Sequence, residues 1–406
     1  MVKKAAAMGL HPTLPHAAHR GGHSHQPALT RRALLTGTAA LAATLATTGP
    51  RASFAAIPAP RPNGGRKWRI GYAESMPFGN YVATLHGVAL ALGRMGWLSG
   101  VAGAPYSPSQ WDSAGLWRWL AERDLGPHVE FVADAYYPRL DRNAPDEALN
   151  RLATARDIDL MIVMGTIAGT KLATDTHAVP TLVFSSTNPV AAKIVASESD
   201  PGREHVWAHL DLARFHRQLR IFHDTFRFQR LGVAYDDSTV GRAIASLSDI
   251  EAMAGRLGFA LVRRHVPPPA DEADLPRYYA DLGRAWTELS GEVDAMYITY
   301  GRWELDRFRP LVQPFLDRRI PTFSQLGPEE VERGALMSVA RADFAGIGQF
   351  GAGTIARLFG GERLRSLPQV YFDTPTIAWN IATAETIGHR IPFDALLAAD
   401  TVFGGA

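Results

Sequence analysis

Five large apolar residues stand in a row, between an acid and a Gly-Thr turn, in Asp159-Leu160-Met161-Ile162-Val163-Met164-Gly165-Thr166. A strand with one solvent-exposed face alternates apolar and polar residues, so this continuous apolar run predicts a strand that is buried on both faces. Such strands belong to parallel sheets that helices cover on both sides. Similar runs recur along the chain, and the predicted strands cover 69–73, 129–133, 160–164, 181–184, 231–235, 260–265, 295–299 and 321–324.

Amphipathic stretches with helical spacing separate these strands. The predicted helices cover 81–95, 147–156, 215–226, 242–257, 275–289, 305–317 and 344–359. Alternating strands and helices are typical of a doubly wound α/β fold. The alternation runs once before about residue 200 and again after about residue 228, which predicts two α/β lobes with a ligand cleft between them.

The N-terminal segment differs from the rest of the chain. Residues 1–73 contain no acidic residue, and an uncharged stretch from 33 to 50 follows the pair Arg31-Arg32. A basic region, an apolar region and the small-x-small pattern Ser53-Phe54-Ala55 predict an export signal cleaved near Ala55. Thr30-Arg31-Arg32-Ala33-Leu34-Leu35 resembles a twin-arginine signal. We therefore expect a signal at 1–55, a Pro/Gly-rich linker at 56–66 and a periplasmic location.

Composition excludes several classes of protein. The chain has 406 residues and no cysteine, which excludes disulfide scaffolds, thiol nucleophiles and cysteine metal sites. Its 42 basic and 40 acidic side chains give a net charge of +2. Removal of the leader with its six basic residues leaves 36 basic and 40 acidic side chains. We therefore expect no nucleic-acid partner.

Small polar residues follow the predicted strands. In parallel α/β sheets, ligands bind beyond the carboxyl ends of the strands, where backbone N–H groups and helix N-termini are available. The same residue types also cap helices in any α/β protein, so both interpretations stay open. The candidate ligand-binding residues are Ser75, Met76, Gly165, Thr166, Ser185, Ser186, Thr187, Asn188, Asp236, Asp237, Tyr300 and Ser324.

From Lys67 onward the chain resembles the periplasmic substrate-binding proteins of ABC importers, in particular the tryptophan/tyrosine-binding-protein-like group with the type I periplasmic binding fold. The resemblance rests on the order and spacing of several segments over some 340 residues. They are Asp159 to Thr166, Val179-Pro180-Thr181-Leu182-Val183-Phe184, Asn188-Pro189-Val190, Arg230-Leu231-Gly232-Val233-Ala234-Tyr235, Val293-Asp294-Ala295-Met296-Tyr297-Ile298, Ile320-Pro321-Thr322-Phe323, Arg333-Gly334-Ala335-Leu336 and Ile391-Pro392 through Ala399-Asp400.

This resemblance implies hinge closure around a small polar solute, such as an amino acid or an aromatic compound, and delivery to a membrane permease and ATPase. It implies no catalysis, no cofactor and no metal. Lobe 1 would comprise 67–200 plus about 335–365, and lobe 2 would comprise 201–334 plus about 366–390. Residues 391–406 would brace the hinge. A sensor domain that reports on a ligand to a receptor is the alternative.

The sequence departs from the family pattern at two places. Amino-acid-binding members commonly present an Asp after the third strand of lobe 2, where this chain reads Thr299-Tyr300-Gly301-Arg302-Trp303. Asp236 or Asp237 is an alternative partner for a ligand ammonium group, and Tyr300 and Trp303 would suit stacking on a ring or sugar face. The second departure is an insertion at 101–127 that carries Tyr106, Trp111, Trp117 and Trp119. It would form a lid, a partner surface or a staple to its own lobe.

Two other patterns suggest chemistry. Gly346-x-Gly348-x-x-Gly351, with Asp373 about 20 residues later, matches the dinucleotide-binding fingerprint, although no strand leads directly into it. Helix packing is the competing interpretation of these glycines. His216 and His223 share a helix face that would suit a metal pair, yet no well-phased carboxylate completes the site, and we interpret the pair as a solvated face. Without a Gly-x-Ser-x-Gly elbow, a nucleotide-binding or hydrolytic enzyme stays a remote alternative.

Overall fold

The computed structural model describes residues 57–108, 110–341, 343–372 and 374–404. The predicted signal at 1–55, including Arg31 and Arg32, lies outside these ranges, and so does Asp373 of the glycine fingerprint. Within them the chain forms two α/β lobes, each built on a parallel or mostly parallel sheet. The predicted fold class is therefore confirmed.

The first lobe contains a five-stranded, fully parallel sheet in the order β2-β1-β3-β4-β5. Two of its strands have the predicted bounds, because their apolar runs end abruptly at Gly165 and Ser185. Apolar cores lie on both faces of the sheet. The elements are β1 (Trp68–Glu74), α1 (Gly79–Arg94), α2 (Ala114–Ala121), β2 (Val129–Tyr137), α3 (Asp146–Thr154), β3 (Leu160–Met164), α4 (Thr166–Leu172), β4 (Thr181–Phe184) and β5 (Val206–Ala208).

The second lobe contains a seven-stranded sheet in the order β12-β11-β10-β9-β8-β6-β7, in which only the β10–β11 pair is antiparallel. The helix predicted at 242–257 is two helices, because Ser246 adopts φ 52° between them. The elements that follow β5 along the chain are α5 (Ala213–Phe226), β6 (Arg230–Tyr235), α6 (Thr239–Ile244), α7 (Leu247–Leu257), β7 (Ala260–His265), α8 (Leu275–Ser290), β8 (Ala295–Ile298), α9 (Phe308–Asp317), β9 (Thr322–Ser324), α10 (Pro328–Glu332), β10 (Met337–Arg341), α11 (Phe344–Phe359), β11 (Pro375–Asn380), α12 (Ile381–Ile387), α13 (Phe393–Leu397) and β12 (Thr401–Phe403). Of these, α11 belongs to the first lobe and packs in its core.

Strand pairing moves three of the predicted lobe boundaries. β5 pairs with β4, so the first sheet extends past residue 200. β10 pairs with β9 and β11, so the return to the first lobe follows Arg341 rather than residue 335. β12, in the segment predicted to brace the hinge, pairs with β11 at the edge of the second sheet. These strands are short, and they contain too few apolar residues for the sequence to show which sheet they join.

Two of the crossings between lobes lie side by side. The Leu210 N–H donates to the Gln369 carbonyl at 2.8 Å, and the Tyr371 N–H donates to the Leu210 carbonyl at 3.1 Å. The third crossing joins β10 to α11. Because each crossing is a few residues long, rotation about these residues is the natural way for the lobes to move.

The glycines of the fingerprint lie within α11, where close neighbours leave no room for a side chain. α11 carries Gly348 against Gly87 of α1, so closely that a Cβ at Gly348 would overlap the Gly87 backbone. Gly351 faces the Phe184 ring, and the Gly346 N–H donates to the Asp343 carboxylate at 2.7 Å. A strand, β10, does precede α11, but a dinucleotide loop would place its glycines between strand and helix, whereas these three glycines lie within α11. Close packing on α1 and on β4 therefore accounts for Gly348 and Gly351, and the contact with Asp343 accounts for Gly346.

This packing predicts opposite effects for two glycine substitutions in α11. Gly348→Ala should lower the free energy of unfolding by about 1–3 kcal/mol, because its methyl group meets backbone that has no room to move. Gly353→Ala, on the same helix, points into open space and should raise it by up to about 1 kcal/mol. Urea denaturation of both variants checks this. A Gly348→Ala protein as stable as the parent would show that the helices are not in close contact.

Candidate functional site

The carboxyl ends of strands from both sheets face one another across a cleft between the lobes. At its inner end is a cavity of about 70 Å³, which both lobes line. The lining residues are Ser75, Met76, Phe78, Asn80, Tyr81, Thr166, Ile167, Ser185, Thr187, Arg214, Ile244, Tyr300, Gln325 and Leu326. This small volume holds a few water molecules, so a larger solute requires the lobes to move apart or must extend outward.

Hydroxyl groups of the first lobe are fixed at the ends of β1, β3 and β4. The Ser75 side chain accepts a hydrogen bond from the Ala168 N–H at 2.9 Å, in the first turn of α4. Thr166 and Ser186 share a hydrogen bond of 3.1 Å between their hydroxyl groups. The Thr187 N–H also donates to the Thr166 hydroxyl at 3.1 Å. This wall is therefore polar, neutral and rigidly held.

The second lobe contributes a cation, an amide and a phenol. Arg214, in the first turn of α5, places its guanidinium carbon 4.3 Å from the centre of the Phe215 ring. Gln325, just after β9, donates from Nε2 to the Ile244 carbonyl at 3.1 Å. Burial raises the pKa of Tyr300 far above its usual range, so the phenol stays protonated. Among the described residues lining the inner cavity, Arg214 is the single one that carries a full charge.

A buried carboxylate joins the lobes beside this cavity. Asp141 follows β2, and its side chain is fully buried. It lies 2.7 Å from Arg302 of the second lobe and 3.1 Å from Arg139 of the first. Its backbone N–H donates to the Ser75 carbonyl at 2.8 Å, which ties the ion pair to the cavity wall. The pair with Arg302 exists only while the lobes are close together.

Two more polar contacts cross the cleft. Asn188, after β4, donates to the Asp249 carboxylate of α7 at 3.0 Å, and His216 lies 3.2 Å from the same carboxylate. Arg142 and Glu272 form an ion pair of 2.8 Å at the surface. Tyr300 and Met76 also contact each other across the lobes. Together these contacts describe a closed arrangement of the lobes.

The predicted ligand-binding residues divide into two groups. Six line the inner cavity: Ser75, Met76, Thr166, Ser185, Thr187 and Tyr300. The other six have different positions or partners. Gly165 precedes α4 beside the Tyr81 hydroxyl, and Ser186 and Asn188 are buried in the contacts described above. Asp236 lines a neighbouring cavity and accepts a hydrogen bond from Ser238, and Asp237 pairs with Arg242 at 2.8 Å. Ser324 donates to Glu330 at 3.1 Å.

Sequence reasoning missed about half of the cavity wall. Phe78, Asn80 and Tyr81 lie at the start of α1, and the Pro77 that precedes this helix was an available signal. Gln325 stood beside the predicted Ser324, one residue further along the strand end. Arg214 could not be identified from sequence, because an arginine that lines a cavity and one on a solvated helix face stand in the same sequence pattern.

The insertion at 101–127 serves both its own lobe and the cleft. Trp117 is buried in the core of the first lobe, where it stacks beside Tyr136 and so anchors the insertion to its own lobe. Trp111 is 44% exposed and meets the Phe78 ring edge-on at 5.6 Å. It lines an outer cavity of about 500 Å³, which Tyr300 and Trp303 also line. The insertion thus extends the cleft toward solvent.

Glu74, the residue before Ser75, is a buried acid that holds the insertion in place. Its Oε2 accepts hydrogen bonds from Tyr72 and Ser113, each at 2.7 Å, and Ser113 precedes α2 of the insertion. Its Oε1 has no partner among the described residues. Burial raises the pKa of Glu74 from its ordinary 4.5 to about 7, and the two hydrogen bonds oppose that shift.

This pKa predicts how stability depends on pH. Between pH 4.5 and 7 the folded state holds a proton on Glu74 that the unfolded state releases, so the free energy of unfolding falls as pH rises through this window. Glu74→Gln removes the titration, and its stability relative to the parent should rise by up to about 3 kcal/mol from pH 5 to pH 8. Denaturant unfolding at both pH values measures the change, with the exposed Glu329→Gln as control. Equal slopes in all three proteins would contradict the assignment.

The histidines do not converge on a metal site. His223 is buried against Phe228 and Phe259, so its predicted place on a solvated face is wrong, and burial lowers its pKa. His216 instead faces Asp249. Both histidines do lie on α5, as the helical spacing predicts, but the sequence did not show that the C-terminal part of this helix packs on the core of its lobe. In the described part of the chain no group of three acidic or histidine side chains is placed to hold a metal ion.

Comparisons place this architecture among known proteins. A family model described as ABC transporter substrate binding protein matches residues 141–403. No curated protein sequence matches the chain. A conserved domain protein from Vibrio cholerae is similar in structure, with a TM-score of 0.60 and 19% identity over 83% of this chain and 100% of that one.

Two further solved structures share the fold. An ABC domain from Streptococcus pneumonia in complex with L-Trp has a TM-score of 0.59 and 18% identity, over 82% of this chain and 100% of that one. A ligand-free, open substrate-binding protein with adhesive properties from Clostridium difficile has a TM-score of 0.58 and 17% identity, over 83% of this chain and 100% of that one. At this identity the likeness concerns the fold, and the family match carries the function.

Proposed function

The chain belongs to the ABC transporter substrate-binding protein family, which confirms the family predicted from sequence, and we propose that it captures a small polar solute between its lobes and delivers it to a membrane permease and ATPase. The inner cavity carries this proposal. Neutral hydroxyl groups of one lobe and a guanidinium, an amide and a phenol of the other converge on it. A solute held there touches both lobes at once.

Closure follows from that arrangement. A solute that contacts both walls binds the closed state more tightly than the open state, and so shifts the equilibrium toward closure. The Asp141–Arg302 pair then forms and is removed from water. The closed shape, with its surface ion pair between Arg142 and Glu272, is what the permease would recognise.

The export signal predicted from sequence supports the same proposal. The predicted signal at 1–55 with Arg31 and Arg32 would carry the folded chain to the periplasm, where importers take up their solutes. In the described part of the chain, no helix has both the length and the apolar character needed to cross a membrane. The proposal assigns the protein no catalytic step and no cofactor. The complex of the pneumococcal ABC domain with L-Trp supports an organic solute of similar size.

A melting screen tests solute capture. Amino acids, aromatic acids, purines and sugars are added one at a time, and a solute at 100 times its dissociation constant should stabilise the fold by about 2.7 kcal/mol. Thr166→Val should abolish the shift, since it removes a hydroxyl of the cavity wall but keeps the side-chain shape. Thr154→Val, on the exposed side of α3, should leave it intact.

Two outcomes would contradict the proposal. If no small solute raises the melting temperature while a protein partner does, the sensor interpretation replaces solute import. If solutes bind equally well to the Thr166→Val variant, the inner cavity is not where they bind.

A further inference from the structure

Beside the inner cavity the lobes enclose a larger one, which we call the second-lobe cavity. Its volume is about 390 Å³, against about 70 Å³ for the inner cavity, and Ile167, Ile244 and Tyr300 line both. Helix α4 of the first lobe contributes Ile167, Thr170 and Lys171 to its wall, and the second lobe supplies most of the rest. The wall is therefore complete only while the lobes are together.

Apolar side chains make up most of this wall. Val266, Leu282 and Trp286 are buried in the core of the second lobe and present part of that core to the cavity. Further apolar residues of the wall are Val240, Ile244, Pro268 and Pro269. The transfer of an apolar group from water to such a surface is favourable.

The charged groups of the wall are already engaged within the protein. Asp141 and Arg302 form their ion pair of 2.7 Å across the lobes. The Lys171 ammonium group donates to two backbone carbonyls, at 2.5 and 3.1 Å. Asp236 accepts hydrogen bonds from the backbone N–H and the hydroxyl of Ser238, at 3.1 and 2.5 Å. None of these groups needs a ligand to replace its hydration.

The hydroxyl groups of the wall are engaged in the same way. Thr170 and Thr299 each donate to a backbone carbonyl at 2.8 Å. Tyr278 accepts from a backbone N–H at 3.0 Å, and Tyr235 is hydrogen-bonded to a histidine ring at 3.2 Å. The buried Trp286 indole N–H is an exception, since it has no acceptor among the described residues. A strongly polar ligand group would therefore lose its water here and gain few partners, which is costly.

The two cavities differ in what they have room for. An apolar cavity of about 150 Å³ holds one benzene molecule. The second-lobe cavity, at about 390 Å³, has room for a hydrocarbon group about twice that size, whereas the inner cavity holds only a few polar atoms. The side chains that line an unfilled cavity forfeit contacts, so a group that fills it favours the closed arrangement.

We propose that the second-lobe cavity binds a hydrocarbon group of the solute, about twice the size of a benzene ring, while a polar end of the same molecule lies against the hydroxyl groups of the inner cavity. The solute is then an amphipathic organic compound rather than a sugar or a small polar amino acid. Ile167 and Tyr300, which line both cavities, lie where the two parts of the molecule join. This inference rests on the proposed function, since it names the solute class.

A series of phenols tests the cavity on the unmodified protein. Phenol, 2-naphthol and 4-phenylphenol carry the same hydroxyl group on hydrocarbon parts of increasing size. By calorimetry 4-phenylphenol should bind at least tenfold more tightly than phenol, because the cavity buries its second ring. Equal affinities across the series, or no binding of any of the three, would overturn the inference.

Filling the cavity separates specific binding from general hydrophobicity. Val240→Phe places a ring in the second-lobe cavity without touching the inner one, and should reduce the gain from phenol to 4-phenylphenol to less than threefold. Val262→Phe, at a half-buried position of β7 outside both cavities, should keep the parent's gain. The same loss of gain in both variants, or in neither, would overturn the inference.

A second variant keeps the test if Val240→Phe folds poorly. Ile167→Ala removes apolar surface that the first lobe contributes, and should weaken 4-phenylphenol binding at least threefold. Parent-like affinity in this variant would show that the probe does not contact the first lobe, which contradicts a cavity completed by closure.

The failure of this inference is distinguishable from that of the proposed function. If a sugar or a small polar amino acid stabilises the parent and the Val240→Phe variant equally, the solute class is wrong and solute capture stands. If no solute of any class stabilises the protein, the proposed function itself fails.

Discussion

Asp141 is an ionised group that the closed protein removes from water, and a buried charge persists only where opposite charges and hydrogen bonds replace its hydration. Arg139 and Arg142 of its own lobe, 3.1 and 3.9 Å away, and Arg302 of the other lobe, 2.7 Å away, provide that replacement. Because the nearest of these arginines belongs to the opposite lobe, full compensation requires the lobes to be together. The electrostatics of one side chain thus depend on the relative position of two domains.

The fold explains why this acid and the solute cavity are neighbours. Parallel strands place all their carboxyl ends at one edge of a sheet, and both sheets turn that edge toward the cleft. The turn after β2 carries Asp141 and is bonded to the Ser75 carbonyl at the end of β1. A solute that touches Ser75 and Tyr300 therefore acts on the turn that is hydrogen-bonded to Asp141 and on the turn that carries Arg302. Binding and closure thus involve neighbouring residues.

Local pattern made the first-lobe wall predictable. The apolar run of β3 ends visibly at Gly165, so Thr166 had to lie at the sheet edge, and Ser75 and Ser185 follow by the same logic. Arg214 was not predictable, because its position depends on how one lobe faces the other. Asn188 and Asp237 stood at strand ends as predicted, yet one bonds across the cleft and the other pairs on the surface. Sequence identifies the edge of a sheet but not which side chains the opposite lobe reaches.

Closure of the lobes on a solute is directly measurable, because the chain contains no cysteine of its own. Ala144 and Ala273 are exposed on opposite lobes, each close to the Arg142–Glu272 pair, and Ala144→Cys with Ala273→Cys accepts two spin labels. Pulsed electron paramagnetic resonance then gives the distance between the labels with and without the solute that the melting screen selects. A single short distance with solute, and a longer and broader distribution without it, is the predicted result. The same distribution in both conditions would contradict closure.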